Sequence, residues 1–250
     1  MTPIVSIITP CYNAASYIAQ TIESVQAQTF GDWEMLIVDD CSTDNSAAII
    51  SAYQATDERI RYFRMDAPSG SPSKPRNIAM EQARGRYIAF LDSDDLWLPH
   101  KLEEQLAFME RGGYGFVYSD YEKMTWDGGR SNRIIHARSV SSYWDTLESN
   151  EIPCLTVLVR KNLLEGLSFK SIPKEDLALW LEVLRRGHDA YNTGQVHALY
   201  REARNSRSSN KWLMFKQQWY ILRRIERVKL VPSLYFMIPF ALKGFAKYLR

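Results

Sequence analysis

The chain has 250 residues, of which 46% are hydrophobic and 24% are charged, a composition that fits a packed domain and excludes an extended disordered segment. Its net charge is only +2, yet residues 201–250 carry 12 of the 31 basic residues and 2 of the 29 acidic ones. This asymmetry predicts an acidic body with a basic tail that meets an anionic surface, and the absence of a recognition motif argues against nucleic acid as that surface.

The first half of the chain alternates strand and helix patterns. Apolar runs predict strands at residues 5–9, 33–38, 60–63, 87–91 and 116–120. Asn13 is a candidate N-cap for the first helix, which ends near Gln28. A loop rich in Pro, Ser and Gly at residues 66–75 is expected to be mobile. Such alternation predicts a mostly parallel sheet with right-handed crossovers.

The second half of the chain has a less regular rhythm. A hairpin turn is predicted at residues 126–129, and a further strand at residues 155–159. A helix opens at Lys174-Glu175-Asp176, and residues 190–200 predict a strand pair or an edge strand. From residue 210 the pattern is helical and basic. The division expected is a domain over residues 1–208 and a helical extension over residues 209–250.

Acidic residues follow two of the predicted strands. Asp39 and Asp40 end the second strand, and Asp92, Asp94 and Asp95 follow the apolar run at residues 87–91. Parallel strands place their carboxyl ends at one edge of a sheet, where open α/β sheets bind ligands. Clustered carboxylates are stable around a cation, and Mg²⁺ usually shares its ligands with substrate phosphates. The alternative interpretation is an acidic, solvated start of a helix.

Two basic side chains, Lys74 and Arg76, lie in the loop between these acidic clusters. Arg binds phosphate through two parallel hydrogen bonds, so a phosphate ligand is one interpretation, and ordinary solvated surface is the other. The three cysteines, Cys11, Cys41 and Cys154, fit no metal spacing and are typical of buried thiols in a reducing compartment.

The basic tail has two interpretations. As an amphipathic helix rich in Trp, Lys and Arg it would lie in a membrane interface. Alternatively, it packs on the domain and leaves a solvated basic face. Its apolar stretch from Leu230 to Leu242 contains Pro232 and Pro239, and it is too short and interrupted to span a bilayer.

Five motifs together resemble inverting glycosyltransferases of family 2. They are residues 5–13 (VSIITPCYN), 38–44 (VDDCSTD), 75–77 (PRN), 91–95 (LDSDD) and 175–180 (EDLALW). The resemblance covers roughly residues 4–210 and implies the GT-A fold, an α/β fold with a mostly parallel Rossmann-like sheet flanked by helices. The basic, amphipathic C-terminal helical tail lies outside this core.

The resemblance also implies site residues. The nucleotide-binding residues would be Thr9, Pro10, Tyr12, Asp39, Asp40, Arg76, Asp92 and Ser93. Asp40 would bind the base, Asp92 would approach the ribose, and Asp94 would ligate a divalent metal, Mn²⁺ or Mg²⁺, on the diphosphate. Glu175 and Asp176 resemble the catalytic acidic pair, with Asp176 as general base. Arg201 and Ser206 resemble the loop over the diphosphate, although the histidine that many relatives carry there is Ala203 in this chain.

The activity expected is transfer of a sugar from a nucleotide-sugar, with UDP-sugars favoured, to a glycan or lipid-linked acceptor in surface polysaccharide synthesis. The location expected from the missing leader pattern is cytoplasmic, with possible peripheral contact to the cytoplasmic face of the membrane. Two alternatives are an inactive relative serving as a membrane-bound partner and a nucleotidyltransferase. Retention of Asp94 and Asp176 argues against the first, and the lack of glycine in residues 10–16 argues against the second.

Overall fold

A central sheet organises the molecule, whose computed structural model describes residues 2–202 and 211–246. Its strands are β1 Val5–Cys11, β2 Trp33–Asp39, β3 Ile60–Arg64, β4 Tyr87–Phe90, β5 Leu96–Trp97, β6 Phe116–Met124, β7 Arg130–Ile135, β8 Val140–Ser141, β9 Leu158–Arg160 and β10 Ala190–Arg201. The helices are α1 Ile18–Gln26, α2 Ser46–Thr56, α3 Ser73–Gln82, α4 Lys101–Gly112, α5 Tyr143–Glu148, α6 Glu175–Arg185, α7 Lys211–Tyr220 and α8 Leu230–Ala246. Short 3₁₀ turns lie at Cys154–Thr156 and Lys161–Leu164, and a π-helix follows α7 at Ile221–Ile225.

The first four long strands form a parallel block. The strand order is β3-β2-β1-β4-β9-β6-β10-β5, with β7 on β6 and β8 on β10. Ile8 of β1 lies opposite Leu36 of β2 and Phe90 of β4, and both neighbours run parallel to β1. The acids that follow β2 and β4 therefore lie at the same edge of the sheet, and the predicted α/β architecture is confirmed.

Helices cover both faces of this block because alternate strand residues point to opposite sides. Ile7 and Met35 belong to the apolar cluster that includes α1, α2 and α4. Ile8 and Leu36, one position later, belong to the cluster that includes α3 and α6. Every residue of β1 and β2 is buried, as uninterrupted apolar runs in parallel sheets predict.

The other half of the sheet is mixed, and there one predicted strand was wrong and one strand was missed. Residues 155–159 are not one strand: a 3₁₀ turn precedes the short β9, which runs antiparallel between β4 and β6. Residues 190–201 form one strand rather than a pair, and it pairs in parallel with β6 through two register shifts. β7 is exposed along nearly its whole length, so no apolar alternation marked it in the sequence.

Asn13 does not cap the first helix. The helix begins at Ile18, five residues later, and Asn13 has a left-handed backbone with φ of 48°. Its side-chain oxygen instead accepts the N–H of Thr43 at 2.8 Å, which fixes the loop after β2. Asn tolerates this backbone better than most residues, and its short amide satisfies a nearby N–H.

The C-terminal helices pack on the domain. A third apolar cluster joins Leu147 of α5 and Leu177 and Leu181 of α6 to Ile221 and Leu222 of the π-helix. Met237 of α8 also lies in this cluster. Of the two interpretations of the tail, this contact supports packing on the domain for one side of the helices. Within residues 2–202 and 211–246, none of the helices combines the length and apolar character of a membrane span.

Candidate active site

The acidic turn after β4 holds one carboxylate inside and leaves two partly exposed. Thr21 of α1 donates its hydroxyl to the carbonyl oxygens of Ser93 and Asp95, both at 3.0 Å. The Asp95 carboxylate is buried and accepts the N–H of Arg201 at 2.8 Å. Asp92 keeps a side chain that is 35% exposed. Asp95 thus anchors the turn, and Asp92 and Asp94 remain for chemistry.

Arg201 lies behind this turn and is almost fully buried. Its guanidinium donates to the carbonyl oxygen of Asp94 at 2.6 Å, to that of Trp126 at 3.1 Å and to Gln20 Oε1 at 2.9 Å. It also stacks over the ring of Tyr17 at 4.7 Å. In this structure Arg201 therefore holds the acidic turn in shape. Its predicted companion Ser206 lies outside the described residues, as does Ala203.

Arg76 joins the two acidic motifs directly. It lies on the buried face of α3 and is 4% exposed. Its Nη2 donates to Asp92 Oδ1 at 2.6 Å, and its Nη1 donates to Glu175 Oε1 at 2.7 Å. The ring of Phe169 packs 5.2 Å from the guanidinium carbon. The turn after β4 and the start of α6, which are separated by about 80 residues in the sequence, therefore share one site.

Glu175 and Asp176 form the first turn of α6, where the helix dipole favours acids. Asp176 Oδ1 accepts the N–H of Leu177 at 2.7 Å, and Oδ2 accepts from Asn150 Nδ2 at 3.3 Å. Burial, followed by the adjacent Glu175 carboxylate, raises the pKa of Asp176 to about 6. A carboxylate with such a pKa is ionised at neutral pH and basic enough to accept a proton.

The other predicted nucleotide residues lie at the ends of β1 and β2. Asp40 accepts the N–H groups of Ser69 and Gly70 at 2.6 and 3.1 Å and the Ser69 hydroxyl at 3.0 Å. The loop at residues 66–75, expected to be mobile, is thereby tied to Asp40. Gly70 has φ of 69°, a backbone that residues with a Cβ rarely adopt.

Asp39 is fully buried, and its contacts stabilise the fold. It accepts from the N–H of Ser42 and the hydroxyl of Tyr62, both at 2.8 Å. Thr9 is buried on β1, opposite Ile37 of β2, and its hydroxyl has no hydrogen-bond partner among the described residues. Pro10 is buried in the same strand, whereas Tyr12 is 58% exposed at its end. Thr9 and Tyr12 are therefore the members of this group with polar atoms left for a ligand.

The donor set fits a hard divalent cation. Burial, followed by the negative charge of the neighbouring Asp92, raises the pKa of Asp94 to about 6, and a bound cation would favour its ionised form. No cluster of three or more candidate ligand side chains occurs in the part of the chain that the structure describes. Mg²⁺ and Mn²⁺ need no such cluster when phosphates complete the shell, and a single carboxylate such as Asp94 suffices.

Several residues of the site carry no signal in the sequence. Asn150 lies in an irregular segment, and its contact with Asp176 arises only from the fold. Cys154 is buried in the 3₁₀ turn near Arg76 and Asp176, and burial raises the pKa of its thiol well above the usual value. The thiol is therefore neutral, as expected for a small packing residue. Thr21 was missed because a Thr on a helix normally bonds within that helix.

Comparison with known proteins gives one family. The sequence profile described as Glycosyl transferase family 2 matches residues 6–162, more than half of the chain. TuaG of Bacillus subtilis, named for glycosyl transfer in teichuronic acid biosynthesis, is 42% identical over 240 residues, covering 96% of this chain and 95% of TuaG. WfgD of Escherichia coli is named as a UDP-Glc:alpha-D-GlcNAc-diphosphoundecaprenol beta-1,3-glucosyltransferase. It is 36% identical over 250 residues, covering 98% of this chain and 95% of WfgD.

Solved structures show the same fold at lower sequence identity. TarS 1-349 of Staphylococcus aureus in complex with UDP-GlcNAc superposes with a TM-score of 0.73 at 19% identity, covering 97% of this chain and 72% of that one. The mannosyltransferase PcManGT of Pyrobaculum calidifontis, in complex with GDP-Man and Mn²⁺, gives a TM-score of 0.68 at 18% identity. The match covers 96% of this chain and 69% of PcManGT.

These matches favour glycosyl transfer over nucleotidyl transfer, because both the family and the named relatives are described by glycosyl transfer. The order of motifs, the shared site of Asp92 and Glu175, and the length of the matches agree. The chain belongs to glycosyl transferase family 2, and the protein is a glycosyltransferase.

Proposed function

We propose that the protein transfers a sugar from a UDP-sugar to a lipid-linked glycan in one inverting displacement, with a divalent cation on the diphosphate. The observation that carries the proposal is the Arg76 bridge, which places the Asp92–Asp94 turn and the Glu175–Asp176 pair around one guanidinium. A transferase must hold the donor on one side of the reacting carbon and activate the acceptor hydroxyl on the other. This arrangement supplies both.

Asp176 is the proposed general base. An acceptor hydroxyl is a weak nucleophile at neutral pH, so a carboxylate must remove its proton as the new bond forms. The raised pKa of Asp176 suits this role, and the Leu177 N–H and Asn150 amide fix the direction of its oxygens. Glu175 is occupied by Arg76, which supports a positioning role for Glu175 rather than proton transfer.

On the donor side, Asp40, Thr9 and Tyr12 are proposed to bind the nucleoside, Asp92 the ribose, and Asp94 the cation. For Asp40 to bind the base, its hydrogen bonds from Ser69 and Gly70 must open, so the loop at residues 66–75 is proposed to move when the donor enters. The cation, when bound, stabilises the negative charge that develops on the leaving diphosphate. Arg76 adds to that stabilisation only indirectly, by fixing Asp92.

The choice of donor and acceptor draws on the relatives. TarS structures hold UDP in one case and UDP-GlcNAc in another, and PcManGT holds Mn²⁺. WfgD, which matches along nearly the whole chain, is named for transfer from UDP-Glc to a GlcNAc-diphosphoundecaprenol. We therefore propose a UDP-hexose donor and an acceptor of the sugar-diphospholipid class.

Such an acceptor lies in a membrane, and the tail has a face that fits one. The exposed apolar residues of α8 recur on one helical face: Leu230, Val231, Leu234, Tyr235 and Ile238. Between α7, the π-helix and α8 runs a groove of about 570 Å³ whose lining includes Trp212, Trp219, Arg223 and Arg224. Aromatic and basic residues of this kind favour the headgroup region of an anionic bilayer. We propose that the protein binds peripherally to the membrane through this face.

The donor assignment is tested by thermal unfolding with UDP, GDP and dTDP, each with and without Mn²⁺. UDP with Mn²⁺ at about 100 times its dissociation constant is expected to stabilise the protein by about 2.7 kcal/mol. Asp94→Asn should remove the part of this stabilisation that depends on Mn²⁺. Asp189→Asn, an exposed acid in the turn between α6 and β10, is the matched control and should behave as the wild type. Absence of stabilisation by every nucleotide would overturn the donor proposal.

A further inference from the structure

Gln218 is a fully buried polar residue in the contact between α7 and the catalytic region. Both ends of its amide are used. Its Oε1 accepts from Lys174 Nζ at 2.7 Å, and its Nε2 donates to the carbonyl oxygen of Leu147 at 2.8 Å. The surrounding cluster is apolar, so a leucine would pack there without the need for hydrogen bonds. The presence of an amide at this position is therefore explained by the two groups that it joins, the Lys174 ammonium and the Leu147 carbonyl.

Lys174 is the residue directly before the acidic pair and has an unusual backbone. It is the N-cap of α6 and adopts the left-handed conformation, with φ of 55° and ψ of 49°. A residue with a Cβ keeps such a conformation only where its surroundings fix it, and conformations of this kind gather at functional sites. The hydrogen bond from Lys174 Nζ to Gln218 is one of the contacts that fix it.

We propose that Gln218 and Lys174 are positioning residues through which the C-terminal helix α7 sets the direction of Asp176. The proposal rests on the proposed function, since it takes Asp176 as the general base. It gives α7 a catalytic purpose beyond packing: helix α7 holds Lys174 in its left-handed conformation, and this conformation sets the first turn of α6. Glu175 and Asp176 then keep their contacts with Arg76 and Asn150.

The charges around Asp176 come from several elements. Glu175 on the same turn raises its pKa, Arg76 of α3 and the Asn150 amide lower it, and the neutral Cys154 thiol lies nearby. Burial lowers the pKa of Lys174 to about 8, an effect that the Asp176 carboxylate opposes. By reciprocity, an ammonium held near Asp176 favours the ionised carboxylate. Without the Lys174 ammonium nearby, the pKa of Asp176 rises. The acid limb of the pH profile of kcat therefore moves to higher pH.

The test uses the full chain with UDP-glucose, Mn²⁺ and a synthetic α-GlcNAc-diphospholipid, between about pH 5 and 9. Gln218→Met is expected to lower kcat on the order of tenfold, less than the 10² that a 1 Å misplacement costs. KM for the donor should stay unchanged, and the acid limb should shift to higher pH. Gln217→Met, on the preceding and only half-buried position of α7, is the matched control and should change neither.

Three further variants separate the outcomes. Gln218→Glu keeps an acceptor for Lys174 and should restore most of kcat, which loss of packing alone would not allow. Lys174→Met should reproduce the effect of Gln218→Met, and the double variant should be no worse than either single one. If Gln218→Met does not fold, Lys174→Met carries the test, because Lys174 is only half-buried.

Asp176→Asn distinguishes the two levels of the proposal. It should abolish transfer while UDP binding persists. If it does so and Gln218→Met and Lys174→Met both behave as Gln217→Met, the positioning role is overturned and the proposed function stands. If Asp176→Asn retains transfer, Asp176 is not the base, and the positioning proposal fails with that assignment.

Discussion

Arg76 shows how one side chain joins two parts of the site. The sequence placed it near the nucleotide as a free cation, but the fold buries it and uses both of its terminal nitrogens for Asp92 and Glu175. Arg201 likewise binds main-chain carbonyls beneath the acidic turn. The type of residue in a motif could be predicted, since acids and cations must meet there. Which of these charged groups pair with each other could not be predicted, because pairing depends on contacts between residues that are distant in the sequence.

Replacing Arg76 by methionine keeps the volume and removes the bridge. Loss of one partner of a buried ion pair costs about 3–5 kcal/mol, and we expect about 3 because Asp92 is partly exposed to water. Urea unfolding at pH 7 measures the change. Arg111→Met, on the exposed side of α4, is the control and should stay within about 0.5 kcal/mol. Wild-type stability in Arg76→Met would show that the bridge organises the site without stabilising the fold.

At the scale of elements, the neighbours of β2 are held together by Glu34. Its carboxylate accepts from the Ser6 hydroxyl of β1, the Arg84 N–H and Arg61 of β3, at 2.7, 2.7 and 2.8 Å. Burial opposes its ionisation, but these hydrogen bonds prevail and lower the pKa of Glu34 below 4.5. Gly85 completes the contact, since a Cβ there would lie 2.6 Å from the Ser6 nitrogen.

A pH dependence of stability follows from this lowered pKa. Ionised Glu34 stabilises the fold above its unfolded pKa of about 4.5, and the stabilisation disappears as the pH falls through the lower folded pKa. Glu34→Gln should therefore be less stable than the wild type at pH 7, and the difference should shrink below about pH 4.5. Urea titrations at both pH values measure it. A constant difference at all pH values would contradict the assignment.

The same scale shows what sequence patterns can predict. β1, β2 and β4 were located because buried parallel strands are continuous apolar runs. The run at residues 155–159 misled for the same reason, since a buried 3₁₀ turn and a strand are equally apolar. That the acids after β2 and β4 lie at the same edge of the sheet could be predicted from the parallel topology alone. Gln218 gave no signal, because its role depends on how α7 docks.

For the whole molecule, charge and apolar exposure coincide at the C-terminal end. The basic surplus of residues 201–250 lies in the segment whose helix α8 exposes Val231 to 76% and Tyr235 to 69%. One side of these helices packs on α5 and α6, and the other carries the exposed apolar face. Both interpretations of the tail therefore apply, to opposite sides: packing is observed on one, and membrane contact is proposed for the other.

Membrane binding is tested by sedimentation with vesicles of phosphatidylcholine, with and without phosphatidylglycerol. We expect binding to the anionic vesicles, and this binding should weaken as salt is added, because salt screens the attraction between the basic residues and the lipid headgroups. Replacing Val231 and Tyr235 together by serine should reduce partitioning by about tenfold or more, since each apolar side chain contributes about 1.5–3 kcal/mol when buried. Val140→Ser, an exposed valine of β8, is the control. Equal sedimentation with both lipids would exclude the basic contribution.

The docking of α7 and the π-helix has a practical consequence for handling the enzyme. Leu147, Leu177 and Leu181 are shielded from water only while Ile221 and Leu222 lie against them. A shortened version ending near residue 210, made to remove the proposed membrane contact, would uncover this apolar surface and lose Gln218 as well. Substitutions on the outer side of α8 are the better way to remove that proposed contact, because they leave the inner side intact.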